Sequence, residues 1–103
     1  MQPGDFDVTG MLLALDELRL NLLQSVVDLQ RSMSKRSTNH DERLSALTQA
    51  LINTYMLAAR LGIGPVELDK SSEDAIRSCL SKEHEVLSAD YATLLRHLRR
   101  RQP

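Results

Sequence analysis

Two pairs of neighbouring carboxylates are the residues of this sequence whose type could support metal or acid–base chemistry. Asp16 and Glu17 are adjacent in the first apolar segment, and Asp41 and Glu42 are adjacent at the start of the second. Adjacent side chains on a helix point about 100° apart, so neither pair can close on one ion or substrate atom. The sequence also has no Gly-rich phosphate loop and no Ser/His/Asp grouping. We therefore predict no catalytic residue, no metal site and no cofactor.

The single cysteine, Cys79, does not indicate a metal site either. His84 lies five positions after Cys79 and one before Glu85, and side chains at these offsets on a helix do not converge on a metal. A single cysteine excludes an internal disulfide and a Cys-rich zinc site, and it is what a reducing compartment permits. The apolar run at residues 11–15 is too short for a signal peptide or a membrane span. We predict a cytoplasmic protein that does not enter a membrane.

The segment LAARLGI, residues 57–63, ends a long amphipathic segment and resembles the all-α nucleotide pyrophosphohydrolases of the MazG type. The resemblance implies ExxE and ExxD/E carboxylate sets on facing helices, which hold magnesium. This sequence departs from that pattern, because its first helix has only Asp16 and Glu17 side by side. Its second helix has only Asp41 and Glu42 at its start. We therefore do not expect magnesium-dependent hydrolysis.

The longer segment LAARLGIGPVEL, residues 57–68, resembles the first helix and turn of a helix-turn-helix. Ala58 is the small residue of that motif and Gly62 lies in its turn. Pro65 departs from the motif near the start of the recognition helix, and Ser71 stands where a buried apolar residue is wanted. A helix that ends at a glycine cap, Gly62, explains the same residues without a helix-turn-helix. A DNA-binding transcriptional regulator is therefore the alternative function.

Arg77 and His84 are separated by six residues, a spacing that resembles the RxxxxxxH element of HEPN-type ribonucleases. Ser78 follows the arginine where that family has a polar Asn, Asp or His. An arginine and a histidine on a solvated helix face also occur together by chance. A ribonuclease is kept as a remote alternative.

Length and composition predict one small helical domain. A chain of 103 residues is too short for two cores, so residues 1–103 form one domain, with a flexible lead at 1–8 and a frayed end at 101–103. Hydrophobic residues make up 42% of the chain, yet only 3% are aromatic, which favours a core of leucine and other helix formers.

Apolar residues recur every three or four positions in three segments, near residues 8–35, 41–61 and 72–101. The sequence therefore predicts an all-α, antiparallel bundle of three long helices in up-down-up order. In the alternative, residues 88–90 begin a fourth, short C-terminal helix. We expect the second helix to be the most buried. The predicted core stripes are Val8, Met11, Leu12, Leu15, Leu18, Leu22, Val26, Leu29 and Met33 in the first helix, and Leu44, Leu47, Leu51, Ala58 and Leu61 in the second.

A further apolar row lies on the flank of the first helix. Leu13, Leu20 and Val27 recur every seven residues outside the main stripe. They either cover the other side of the third helix or form a two-fold seam between two copies. We assign them to self-association as a homodimer.

Basic residues should gather at one end of an up-down-up bundle, although the net charge is only −1. Their placement either complements the helix dipoles or forms an end that docks on an acidic protein or on phosphates. The sequence thus predicts a non-enzymatic interaction protein, a homodimeric regulator, anti-activator or chaperone. A protein partner is favoured over nucleic acid. The residues assigned to partner binding are Lys35, Arg36, Arg96, Arg99, Arg100 and Arg101.

Overall fold

The computed structural model describes residues 8–34, 40–81 and 87–101, and it is almost entirely helical. Within these ranges the chain forms helices and turns but no strand, which confirms the predicted all-α class. The helices are α1 (Val8–Ser34), α2 (His40–Arg60), α3 (Pro65–Ser81) and α4 (Ser88–Arg101).

The third predicted segment is two helices, so the alternative with a separate final helix is the one found. α4 begins at Ser88, and the backbone amide of Tyr91 donates to the carbonyl of Leu87 at 2.9 Å. The favoured continuous helix also began too late, because α3 starts at Pro65. Proline lacks a backbone N–H, and the first turn of a helix does not need one. The predicted start near residue 72 therefore lies inside α3.

α2 ends at Arg60, one residue before the predicted boundary near residue 61. Gly62 has a φ of 84°, the left-handed conformation that glycine adopts without steric cost. Its amide donates to the carbonyl of Ala59 at 3.1 Å, and the amide of Leu61 bonds the carbonyl of Leu57 at 3.1 Å. These bonds satisfy carbonyls that the helix end would otherwise leave unpaired.

The chain divides into two compact units, residues Met1–Gly62 and Ile63–Pro103. In the first, α1 packs on α2, and in the second, α3 packs on α4. Each unit is only a pair of helices, so this division does not test the prediction of one domain. The up-down-up order and the gathering of α1 and C-terminal basic residues at one end also stay predictions.

Small residues form the contact between α1 and α2. Leu18, Ser25 and Ser32 are buried on α1 at intervals of seven, and Ala46 and Asn53 are buried on α2. The two serine hydroxyls donate to carbonyls of their own helix at 2.8 and 2.7 Å, and the Asn53 amide does the same at 2.7 Å. Their polar groups are thus satisfied, and their small volumes let the two helices approach closely.

The predicted core stripes of α1 and α2 are for the most part wrong as a description of burial. Of the α1 stripe Leu18 is buried, and Leu15, Leu22 and Leu29 are half-buried. The prediction that α2 is the most buried helix also fails. The stripe residues that the structure exposes are Val8, Met11, Leu12, Val26 and Met33 on α1, Leu44, Leu47 and Leu51 on α2, and Leu61 after it.

The second unit has a conventional apolar core. Ile76 of α3 packs with Leu95 and Leu98 of α4, and Leu80 and Tyr91 are partly buried against them. Within each helix these residues recur three or four positions apart, as the apolar period of the third segment, near residues 72–101, predicts. Burying side chains of this size contributes roughly 1.5–3 kcal/mol each. The core therefore holds α3 and α4 together.

Candidate functional site

The outer stripe of α1 consists of Leu13, Leu20 and Val27, the residues predicted to self-associate. Leu20 follows buried Leu18 by two positions, and Val27 follows buried Ser25 by two. Two positions correspond to about 200° around a helix, so the outer stripe lies on the side of α1 away from α2. The three side chains are 64%, 56% and 43% exposed. The outer stripe is therefore not part of the buried contact between α1 and α2.

A second apolar surface covers one side of the α1–α2 pair, and we call it the apolar face. Met33 of α1 and Leu47 of α2 line one shallow pocket with Leu29 and Arg43, so both helices contribute to this side. Neighbours at helical spacing extend it along each helix. The exposed residues of the apolar face are Leu12, Leu23, Val26 and Met33 on α1 and Leu44, Leu47 and Leu51 on α2.

A polar groove of about 750 Å³ also lies between α1 and α2. Small side chains at its floor, Ser25 and Ala46, are buried, while most of the wall residues are exposed. The helical period of the sequence places the α1 residues that line the groove on the polar side of α1. It does not show that α2 forms the other wall of a groove. The groove is lined by Asn21, Gln24, Ser25, Asp28 and Arg31 of α1 and by Asp41, Glu42, Ser45, Ala46, Gln49 and Asn53 of α2.

Charged and amide side chains occupy different ends of the polar groove. The charged end takes its residues from the second half of α1 and the start of α2, namely Asp28, Arg31, Asp41 and Glu42. The amide end contains Asn21, Gln24, Gln49 and Asn53. Gln24 Nε2 donates to Asp28 Oδ1 at 2.9 Å, so one carboxylate of the groove is already bound by an amide.

The lining residues do not fit the magnesium site that MazG-type enzymes require. The resemblance implies two carboxylates three positions apart on each facing helix, and carboxylate oxygens are suitable ligands for Mg²⁺. The lining pairs Asn21/Gln24 and Ala46/Gln49 have that spacing but carry no carboxylate. The pairs containing Asp28 or Glu42 hold serine or arginine at the second position. In addition, the described part of the chain has no group of three His, Cys, Asp or Glu side chains that could hold a metal.

Two of the four C-terminal arginines that are predicted to bind a partner form ion pairs within the second unit. Arg99 Nε lies 3.3 Å from Glu73 Oε1, and Arg101 lies 3.7 Å from Asp69. Glu73 is only 4% exposed, and Arg77 of α3 also pairs with it. Two of the four arginines thus hold α4 against α3 through acidic residues that the sequence analysis missed. Asp69, Glu73 and Arg77 follow one another at four-residue spacing on α3, and this spacing is the signal that could have identified the two acidic residues.

The remaining predicted partner residues divide into two groups. Arg96 donates to the Thr93 hydroxyl at 3.3 Å, and both Arg96 and Arg100 are exposed on α4. Lys35 and Arg36 lie outside the described residues. The structure therefore brings Arg96 and Arg100 onto one helix and leaves the contribution of α1 a prediction.

The residues of the two alternative functions are placed as follows. Arg77, of the ribonuclease-like spacing, pairs with Glu73 and lies 3.3 Å from Asp74, while His84 falls outside the described residues. The helix-turn-helix-like segment, 57–68, spans the end of α2, a turn and the start of α3. Because α2 and α3 belong to different units, its DNA-binding geometry stays a prediction.

Cys79 and Tyr91 meet between α3 and α4. The cysteine is a free thiol. Its hydrogen bond with the Tyr91 hydroxyl, followed by the charge of the thiolate and by burial, raises the pKa of Tyr91 above its ordinary value near 10. The phenol therefore stays protonated to higher pH than a free tyrosine.

No helix in the described ranges has the length and apolar character needed to cross a membrane. The model of the MazG-like family matches residues 8–94 of the chain. Neither the curated proteins nor the solved structures contain a match. The family model covers all or part of every helix of the chain, from the start of α1 into α4. The chain belongs to the MazG-like family.

Proposed function

We propose that this protein is a non-enzymatic interaction protein that acts as a homodimer, as a small regulator, anti-activator or chaperone does. The observation that carries the proposal is the amount of large apolar side chain left exposed on α1 and α2. A soluble chain rarely exposes a contiguous apolar surface of this kind unless something binds it. The outer stripe and the apolar face are therefore the surfaces through which the protein works.

A second copy of the chain suits these surfaces for geometric reasons. The outer stripe repeats every seven residues along α1, which is the repeat that two packed helices share when they cross at a shallow angle. A two-fold axis places the same row of each copy against the other, so one stripe supplies both halves of the contact. The net charge of −1 also leaves little repulsion between copies.

The outer stripe alone supplies only part of the energy that association requires. Burying a leucine or valine side chain completely contributes roughly 1.5–3 kcal/mol. Leu13, Leu20 and Val27 are each between 43% and 64% exposed, and in a two-fold contact each residue is counted twice. The entropy lost on association is of order 4–15 kcal/mol, so the outer stripe needs help from the apolar face. Both surfaces together form the proposed interface.

The polar groove supports the non-enzymatic part of the proposal. Its facing pairs carry amides and small residues where a magnesium-dependent hydrolase carries carboxylates. An amide oxygen has no net charge and does not offset the cost of removing water from Mg²⁺. A cytoplasmic site of action belongs to the proposal too, and the free thiol of Cys79 supports it.

Light scattering behind a sizing column tests the assembly. We expect the wild type to have twice the mass of the chain and Leu20→Glu to have the mass of one chain, because a buried glutamate in the seam would lose its hydration. Leu94→Glu is the matched control, since Leu94 is 45% exposed on α4 and lies outside the proposed interface.

The masses of the wild type and of Leu20→Glu distinguish the outcomes of this experiment. A wild type with the mass of a single chain ends the homodimer proposal. A Leu20→Glu variant that keeps the double mass removes the outer stripe from the interface. Circular dichroism of both variants shows that they remain helical, so a change in mass reports assembly and not unfolding.

A further inference from the structure

The polar groove combines the helix spacing of a divalent-cation site with side chains that cannot hold the cation. Asn21 and Gln24 are three positions apart on α1, and both line the groove. Gln49 lines it from α2, three positions after Ala46. Asn21 and Gln24 thus have the three-position spacing of the carboxylate pair that the MazG-type resemblance implies, and Gln49 borders the same cavity from α2.

We infer that the amides of Asn21, Gln24 and Gln49 are what keep divalent cations out of the polar groove, and that carboxylates at these three positions create a binding site for Mg²⁺ or Mn²⁺. The inference goes beyond the proposed function by naming the residues that separate this groove from a metal centre. It shares with that proposal only its non-enzymatic part.

Charge is the physical reason for the inference. A divalent cation gives up several waters only when negative oxygens replace them, and a neutral amide oxygen is a far weaker substitute. The carboxylates that do line the groove stand at its charged end. Asp28 accepts a hydrogen bond from Gln24 at 2.9 Å, and Arg31 adds a positive charge to the same end.

The three positions also tolerate the exchange. Asn21, Gln24 and Gln49 are exposed, so their replacement by Glu or Asp leaves the buried contact between α1 and α2 intact. Ala46 is buried and a larger side chain there would force the helices apart, so it stays unchanged. The variant Asn21→Glu/Gln24→Glu/Gln49→Asp therefore changes the charge of the groove and removes the hydrogen bond from Gln24 to Asp28, but it leaves the buried contact between α1 and α2 unchanged.

Mn²⁺ titration followed by electron paramagnetic resonance tests the inference, because free and bound Mn²⁺ give different signals. We expect no saturable binding to the wild type at millimolar Mn²⁺. The triple variant should bind one ion per chain at least tenfold more tightly than any site of the wild type, and Mg²⁺ should displace it. The control is Gln30→Glu/Thr48→Glu/Ser71→Glu, which adds the same charge at exposed positions outside the groove.

Each outcome of the titration decides the inference. Saturable binding to the wild type that Asp28→Asn abolishes would overturn it, because the native groove would then be a metal site. Equal Mn²⁺ binding by the triple variant and the control would also overturn it. If the triple variant loses its helical circular dichroism, Gln24→Glu/Gln49→Asp makes the same comparison with fewer changes. Because the titration does not depend on the mass of the assembly, its failure and that of the homodimer proposal are distinguishable.

Discussion

Glu73 is buried between two arginines, and this arrangement links α3 to α4 at the level of single residues. Arg99 reaches it from α4 at 3.3 Å, and Arg77 reaches it from the next turn of α3. Both guanidinium groups are about half exposed, so water screens much of the attraction. The carboxylate matters chiefly because it fills a protected position where both arginines can donate to it.

Replacing Glu73 therefore has a moderate effect on stability. We expect Glu73→Ala to lower the free energy of unfolding by about 1 kcal/mol, since two hydrogen bonds are lost while the arginines turn to water. Asp74→Ala is the control, because Asp74 is exposed and pairs only with Arg77 in the described contacts. Urea denaturation measures both. Equal stabilities of the two variants would show that the Glu73 cluster contributes nothing beyond a surface ion pair.

The pair Cys79 and Tyr91 gives a prediction about alkaline pH. The hydrogen bond with Cys79 raises the pKa of Tyr91, so the folded state holds this proton more tightly than the unfolded state. The resulting stabilisation is present below pH about 10 and is lost as the pH rises through the higher pKa of the folded protein.

A spectroscopic titration can measure this directly. In a Tyr55→Phe background Tyr91 is the only phenol of the chain, so phenolate absorbance reports it alone. We expect Cys79→Ala to move the titration of Tyr91 down toward the ordinary value near 10. An unchanged titration curve would show that the thiol has no influence on the phenol.

At the scale of helices, the α1–α2 contact depends on small side chains. Ser32 is almost completely buried, and its hydroxyl is satisfied by the carbonyl of Leu29 at 2.7 Å. Ser32→Leu should lower the free energy of unfolding by about 1–3 kcal/mol, because a larger side chain has to push α2 away. Ser34→Leu is the matched control on the exposed end of the same helix. If thermal unfolding shows the two variants equally stable, close approach is not what holds the pair together.

The same contact explains what the sequence could and could not predict. Helices were predictable because leucine, valine and methionine recur with a helical period, and Gly62 marks the end of α2 by its backbone freedom. Burial was not predictable, because a helical period shows which residues share a side of a helix but not which side packs against the neighbouring helix. Ser25 and Ser32 are buried on the α2 side of α1 together with Leu18, while Leu20 is exposed.

For a related reason, the sequence predicts the α1 side of the polar groove but not the α2 side. The polar side of α1, with Asn21 and Gln24, follows from the helical period alone. That α2 sets Gln49 across from this side depends on the direction in which the two helices cross, and no residue of α1 encodes that. The outer stripe, in contrast, was assigned from its seven-residue repeat, and the structure places Leu13, Leu20 and Val27 at exposed positions.

At the scale of the whole molecule, charge argues against the DNA-binding alternative. The net charge is −1, and the structure pairs Arg99 and Arg101 with acidic residues of α3. We expect no saturable binding to a DNA duplex at low salt. Fluorescence anisotropy at two salt concentrations measures this. Binding that weakens steeply with salt, and that Arg96→Ala/Arg100→Ala reduces, would restore the nucleic-acid function.

Stability and assembly should be coupled in this molecule, because its first unit exposes more large apolar side chain than it buries. If two copies cover the outer stripe and the apolar face, each tenfold rise in protein concentration stabilises the folded dimer by about 1.4 kcal/mol. The wild type should therefore unfold at a higher temperature as its concentration increases. Leu20→Glu should unfold at a lower temperature that does not depend on concentration, whereas Leu94→Glu should follow the wild type. A concentration-independent wild type would mean that no second copy covers the apolar surface of α1 and α2.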